Sequence, residues 1–559
     1  MSPTPHALIF PIPMQGPVNC MLKLAELLCI SNISVTFLNT EHIHRTLLRH
    51  SNVLTRFSRY DNFRFETISD GLPDDHPRSV ERFLDLFDGM RSVTEPVFRE
   101  MMVSGCFSMK SECPVTVIIP DASFAFVFDV AEEVGIPVVY FETVSPCALW
   151  TYLCLPKLIE AGEVPFKDVK TTPITDGLPD DHPHCGDRIL EECECPVTVI
   201  EPDGVFSFVV DVAEEVGIPV VYLILPCALW TYFCLPKLID AGEVPFKDND
   251  LDVLIKNVPG TENFLRRRDL PSFYRLEDLA NPVTEIIMME ARCVPRAHGL
   301  ILNTFQALDE MVLVHMRTLC PNIYCIGPIH TLYNSRVTSE PKVTTQRPQS
   351  NVSNSLWEEN VDCLSWLDTQ VTRSVVYVSI GSMAMMTVDQ FFEFWHGLVN
   401  SGKPFLWVQR PGSIIGEYDD NQVPKHLADV TKQRGFITTW VPQEAVLAHS
   451  AIGGFLTHSG WNSTIESIME GVPMICWPQN VDQQVNSRFV NEVWKIGIDI
   501  KDTCDRAIVK KAVRDVIDVR RSEFIGSTRM LGELGGQSVA EDGASVMDLN
   551  RLIKTISSL

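Results

Sequence analysis

The chain has 559 residues, too many for one ordinary hydrophobic core, so two or more domains are expected. Apolar residues make up 45% and charged residues 21%, a globular mix that excludes disorder as the default. The net charge of −26 excludes a polyanionic partner such as nucleic acid, because that binding depends on Lys and Arg neutralising phosphates.

The chain opens with "MSPTPHALIFPIPMQG", which has no basic leader and is interrupted by Pro11, Pro13 and Gly16. No run of about 18 apolar residues follows, so no membrane span is expected and the protein is placed in the cytosol. The 17 cysteines are scattered without a CxxC pair and read as reduced core residues. Then "HALIFPIP", "VNCMLKLAELL", "ISVTFLNT", "HIHRTLL" and "FRFETI" alternate short apolar runs with amphipathic ones. That is β-α-β-α-β, the pattern of a parallel sheet covered by helices on both faces.

An internal repeat comes next. Pro114 to Tyr140 matches Pro196 to Tyr222 at 22 of 27 positions, and Pro146 to Asp168 matches Pro226 to Asp248 at 21 of 23. "DGLPDDHP" also occurs twice, from Asp70 and from Asp176, but the second copy lacks the helical "ERFLDLFDGMRSVTEPVFREMM". Two unequal copies of a strand-helix-strand unit do not make a solenoid. About 169–248 is therefore a truncated duplicate, and one sheet position can hold only one copy.

A polar stretch from about His330 to Ser355 reads as a linker, after which "SVVYVSIGS", "FFEFWHGLVNS", "PFLWVQR" and "GFITTWV" restart the α/β pattern. The expected division is an acceptor-side domain over 1–329, a linker over 330–356 and a second domain with a C-terminal helix over 357–559.

Chemistry concentrates in "WVPQEAVLAHSAIGGFLTHSGWNSTIESIMEGVPMICWPQNVDQ", Trp440 to Gln483. "GGFLTH" reads as a buried strand ending at His458, "SGWN" as a tight turn, and "STIESIMEG" as a helix stopped by Gly471, with Ser463 and Glu466 spaced as a capping box. A turn feeding a helix N-terminus at the end of a parallel strand presents free N–H groups to an anion.

These 44 residues resemble the signature box of plant UDP-sugar glycosyltransferases, and "FPIPMQGPVNCMLKLAELL" and "SVVYVSIGS" resemble that family's other landmarks. The resemblance implies a GT-B fold, two Rossmann-like domains facing across a cleft, with the nucleotide sugar on the C-terminal one. It puts Trp440 against uracil, with Val441 and Gln443 completing the nucleoside pocket and Glu466 on the ribose hydroxyls. It gives the diphosphate to Ser382, His458, Asn462 and Ser463, and the sugar to Trp461, Asp482 and Gln483. Ser459 stands where the family has Cys. Taken singly, Trp440 would be an ordinary core aromatic and Glu466 a helix cap.

In the family a His after "QG" accepts the acceptor's proton and an Asp orients it. Here that position is Pro17, whose ring nitrogen cannot take a proton. His6, His42 and His44 read as structural. The orienting Asp occurs twice, as Asp121 and Asp203; Asp121 is favoured because its strand is uniformly apolar, whereas Glu201 charges the second version. The implied activity is inverting transfer of glucose from UDP-glucose, a co-substrate, to a small acceptor by a monomer without metal or other cofactor. "FETISDGLPDDHPR", "LIEAGEVPFKD" and "NVPGTENFLRRRDLPSFYR" resemble members that glucosylate iridoids such as 7-deoxyloganetic acid. The alternative is a UDP-sugar-binding homologue impaired by Pro17 and by a sheet broken at the duplicate.

Overall fold

The computed structural model describes residues 5–76, 78, 82–105, 107, 114–160, 164, 251–270, 291, 293–337, 353–416, 424–480 and 482–559. The second copy of the repeat, Asp203 included, lies outside the described residues.

The first sheet contains β1 (His6–Phe10), β2 (Ser34–Thr40), β3 (Phe63–Ile68), β4 (Val117–Pro120), β5 (Val139–Glu142), β6 (Gly299–Leu302) and β7 (Ile323–Cys325). β3, β2, β1 and β4 pair in that order, as do β5, β6 and β7. Parallel bridges Ile118↔Val138 and Asp121↔Phe141 join the two groups, with Ile118 N donating to Pro137 O at 3.0 Å. The resulting order, β3-β2-β1-β4-β5-β6-β7, is parallel throughout. All but β3 are buried along their length, which is why these segments read as unbroken apolar runs and not as alternating ones.

β4 and β5, the helix α2 between them (Ala125–Val134) and the helix α3 that follows (Pro146–Glu160) all belong to the first copy of the repeat. The expectation of a broken sheet is thereby corrected. Among the described residues, every strand of this sheet lies outside 169–248, and no pair of neighbours is separated by a gap.

The second sheet contains β8 (Val375–Ser379), β9 (Phe405–Val408), β10 (Gly435–Thr438), β11 (Ile452–Thr457), β12 (Met474–Cys476) and β13 (Gly497–Asp499). Its order is β10-β9-β8-β11-β12-β13, again parallel.

Three helices decide how the halves relate. α1 (Gln15–Ile30) follows β1, and Pro17 is its third residue. First-turn N–H groups have no helical partner, so a proline costs nothing there; Val18 N still reaches Met14 O at 3.1 Å and the helix runs on unbroken. α4 (Ile329–Val337) occupies the start of the stretch expected to be linker. Its Ile329, Leu332 and Tyr333 are buried, and Tyr333 donates to Glu26 of α1 at 2.8 Å. This corrects the reading of 330–356 as linker throughout: the apolar residues at 329, 332 and 333 give 329–337 a face to bury. The C-terminal helix, residues Ala544–Ser558, packs back on the first sheet, where Asp548 accepts from Cys325 N at 2.8 Å and Val546, Leu549, Leu552 and Ile556 join its core. Among the described residues, no helix is long and apolar enough to cross a membrane.

Candidate donor and acceptor site

In an open parallel sheet, ligands bind beyond the carboxyl ends of the strands where the order reverses. In the second sheet that point lies between β8 and β11. The loop after β8 carries Gly381 and the partly buried Ser382; the loop after β11 carries His458, Ser459 and Gly460. A Cβ added at Gly381 or at Gly460 would stand 2.4 Å from His458 Nε2, so both positions must be glycine for the imidazole to lodge between them. Gly381 also has φ +76°, in the region glycine favours. Burial pushes His458 down to about 4, leaving a neutral imidazole that can donate to an anion without adding charge. Its Nδ1 has no hydrogen-bond partner among the described residues.

The helix after that loop, α6 (Trp461–Met469), has Gly460 as N-cap with no side-chain cap. The expected Ser463–Glu466 capping box is therefore corrected: the helix begins two residues before Ser463, and both side chains lie inside it. They serve a different partner. Gln443, the first residue of helix α5 (Gln443–Leu447), donates from Nε2 to Ser463 Oγ at 2.9 Å and to Glu466 Oε2 at 2.8 Å, while accepting from Tyr377 Oη at 3.1 Å. Glu466 is 6% exposed, and burial together with neighbouring Glu444 raises it to about 7. Trp440 is half-buried, its ring 5.8 Å from that of Trp357 at an angle of 36°, and its carbonyl accepts from Asn360 N. Val441 beside it is buried. Gln443 thus ties Ser463, Glu466 and Tyr377 together, three residues after the paired indole of Trp440.

On the other side of α6, Asp482 is buried and accepts from Asn486 Nδ2 at 2.7 Å; burial raises it to about 6. Gln483 opens the helix α7 (Gln483–Arg488) and its Oε1 accepts from the N–H groups of Gln479 and Asn480, so its Nε2 is the part left for a ligand.

Two expected ligands look elsewhere. The Trp461 indole is 3% exposed and donates to Asn303 O at 2.9 Å, so only its main chain can face a sugar. The Asn462 amide donates to Gly16 O at 3.3 Å and accepts from Cys20 Sγ at 3.0 Å and Asn303 Nδ2 at 3.2 Å. What it offers a diphosphate is its first-turn N–H. These contacts pull the turn before α6 onto α1 and onto the loop after β6. Asn303 is not among the residues that sequence reasoning singles out. Its signal is a polar amide directly after the apolar "GLIL" of a parallel strand.

On the first sheet the order reverses at β1, between β2 and β4. Pro17 lies on the helix that follows β1. Asp121 lies just past β4, its N–H bonded to Phe10 O at 2.9 Å. Asp121 is fully buried, and burial raises it above the usual carboxylate range. Ser123 N and Thr143 Oγ1 donate to it, at 3.1 and 2.9 Å. His42 and His44 lie in the helix after β2, and burial holds both below the ordinary histidine value. His6 bonds Thr36 within the core.

Two parallel α/β sheets with their loop ends in mutual contact define a class, the GT-B transferases, and the comparisons agree. Residues 301–523 match the family described as "UDP-glucoronosyl and UDP-glucosyl transferase". A 7-deoxyloganetic acid glucosyltransferase of Catharanthus roseus is 43% identical over 99% of this chain and 98% of its own. A (R)-mandelonitrile beta-glucosyltransferase of Prunus dulcis is 35% identical over 99% of this chain and 97% of its own. Among solved structures, a UDP-glucose:anthocyanidin 3-O-glucosyltransferase with UDP matches at TM-score 0.69 and 22% identity over the whole of both chains. Os79 of O. sativa with UDP matches at 0.68 and 23%, over 98% of this chain and 100% of its own. The chain belongs to the UDP-glycosyltransferase family and is a glycosyltransferase of the GT-B fold.

Proposed function

We propose that the protein transfers glucose from UDP-glucose to a small iridoid-like carboxylic acid, with inversion at the anomeric carbon. The donor is held by the second half, about 357–559, and the acceptor by the first, about 1–329. Trp440 stacks on uracil, with Gln443 and the Val441 main chain at its edge, and Glu466 takes the ribose diol. His458, Ser382, Ser463 and the Asn462 N–H receive the diphosphate; Asp482, Gln483 and the Trp461 main chain receive the sugar hydroxyls. The acceptor oxygen forms its bond to the anomeric carbon as the bond to the diphosphate breaks, and UDP leaves with the electron pair. Preorganised donors at the helix start stabilise that departing charge, in a transition state of oxocarbenium character.

The observation that carries the reading is Gln443 held between Ser463, Glu466 and Tyr377, since it builds the nucleoside corner from separate elements. Pro17 narrows the acceptor. Without a base, a hydroxyl keeps its proton, whereas a carboxylic acid arrives ionised at neutral pH. Asp121, in the first copy, is the carboxylate at this site rather than Asp203. The protein works as a cytosolic monomer with no bound cofactor. The test is turnover by the full chain with UDP-glucose, UDP-galactose and UDP-glucuronate against an iridoid acid, read by mass spectrometry. Preference for UDP-glucose is expected; preference for either other donor contradicts the reading.

A further inference from the structure

Gly16, Cys20 and Lys23 stand at i, i+4 and i+7 on α1 and therefore on one face of that helix. Each touches the second half of the chain: Gly16 O and Cys20 Sγ meet Asn462, and Lys23 Nζ meets Glu444 Oε1 at 2.5 Å. Lys23 is only 4% exposed, and a buried ammonium is costly unless paired, so this contact is what allows a lysine within "CMLKLAELL". Glu444 follows Gln443, whose amide binds Glu466. One lysine of the acceptor half thus reaches the back of the nucleoside corner.

We propose that Lys23 is a positioning residue for the donor: its ammonium, paired with Glu444 across the cleft, keeps Glu466 ready to accept the ribose hydroxyls. This rests on the nucleoside reading of Glu466 given above. The groups facing Glu466 are Glu444 from α5, Lys23 and Cys20 from α1, Glu470 at the end of its own helix, and Tyr377 from β8 beyond Gln443. His330 of α4 faces Glu444 and Lys23, and burial keeps it neutral at about 4. Among these, burial and Glu444 favour the protonated form of Glu466, and Lys23 opposes them. The ionised form accepts with both oxygens, one for each hydroxyl of a diol, whereas the protonated form turns one of them into a donor.

The charges give Lys23 and Glu444 opposite signs, which separates this role from a plain latch between the halves. UDP affinity is measured by calorimetry from pH 6 to 9 on the full chain and on K23M, E444Q and K23R. K23M is expected to weaken UDP about five- to tenfold at pH 7 and progressively less as pH rises to 9, because Glu466, raised further without Lys23, ionises as pH rises. E444Q is expected to bind as well as or up to about twofold better than the parent at pH 6 to 7, and K23R to restore parental affinity. Equal weakening by K23M and E444Q at every pH marks a mere latch and overturns the proposal, as does parental affinity in K23M. If the parent itself does not bind UDP, the nucleoside reading falls first and this inference with it.

Discussion

Thr143 Oγ1 donates a 2.9 Å hydrogen bond to Asp121 Oδ2, so among the described residues this buried carboxylate is held by a hydroxyl and the Ser123 N–H and not by an imidazole. Pro17 lies in an undistorted first helical turn after the neighbouring strand β1, which means that a histidine there can be tolerated. Pro17→His is expected to raise the rate on an alcohol acceptor by about 100- to 10,000-fold, the usual worth of a general base, and to change the rate on a carboxylic acid far less. Steady-state kinetics on a matched alcohol and acid check this; an unchanged alcohol rate removes position 17 from the chemistry.

The Trp440 ring lies 5.8 Å from that of Trp357, beside the corner proposed to hold the nucleoside. Base–aromatic stacking is worth about 1–3 kcal/mol by alanine substitution, so Trp440→Ala should weaken UDP by about 5- to 150-fold. Titration calorimetry decides, with circular dichroism to show that the half-buried indole is not needed for folding.

Because β4, α2, β5 and α3 all come from the first copy of the repeat, the sheet does not require residues 169–248. A chain lacking them should fold, bind UDP within about twofold of the parent, and melt at the same or a higher temperature, since the described strands of the sheet are complete without them. A lower melting temperature or lost UDP binding would show that the second copy has found a place in the fold.

Asp269, fully buried, is shared by Arg266, Arg488 and Lys501, the last at 2.6 Å. Burial alone would raise its carboxyl, but Lys501 and Arg266 outweigh it and hold it below the ordinary value. A folded-state value below the unfolded one contributes stability above the unfolded pKa, lost as pH falls through the folded one. Asp269→Ala removes the one carboxylate common to these three cations while leaving each a second partner, Asp252 for Arg266, Glu492 for Arg488 and Asp499 for Lys501, and should cost about 1–3 kcal/mol near pH 7. The difference in melting temperature from the parent should shrink as pH falls below about 4, where the unfolded chain's carboxyl protonates, and on through the lower folded value. A penalty independent of pH contradicts the assignment.

Much of this is legible in the sequence because parallel strands buried on both faces leave unbroken apolar runs, and because the residues proposed for the donor, Ser382 apart, lie within one contiguous box, Trp440 to Gln483. The helix start is not legible, since Gly460 caps α6 without a side chain; Ser463 and Glu466 have the spacing of a cap yet bind Gln443. Helix 329–337 resembles linker because its apolar residues are few and its partner Glu26 on α1 is 307 positions away from Tyr333. The contacts that join the halves, Asn303 with Trp461 and Lys23 with Glu444, span 158 and 421 positions. No local pattern of spacing encodes a partner at that distance; at most, a lone polar residue in an apolar run shows that some partner exists.

The most direct test of the central claim is the linkage of glucose in the product. The full chain is supplied with UDP-glucose and an acceptor carrying both a carboxyl and a hydroxyl, and the product is treated with mild alkali. A glucose ester that releases glucose in alkali is expected, because with Pro17 at the base position the ionised oxygen is the one that attacks. An alkali-stable glucoside as the main product, formed by the parent chain as fast as by its Pro17→His variant, would contradict it.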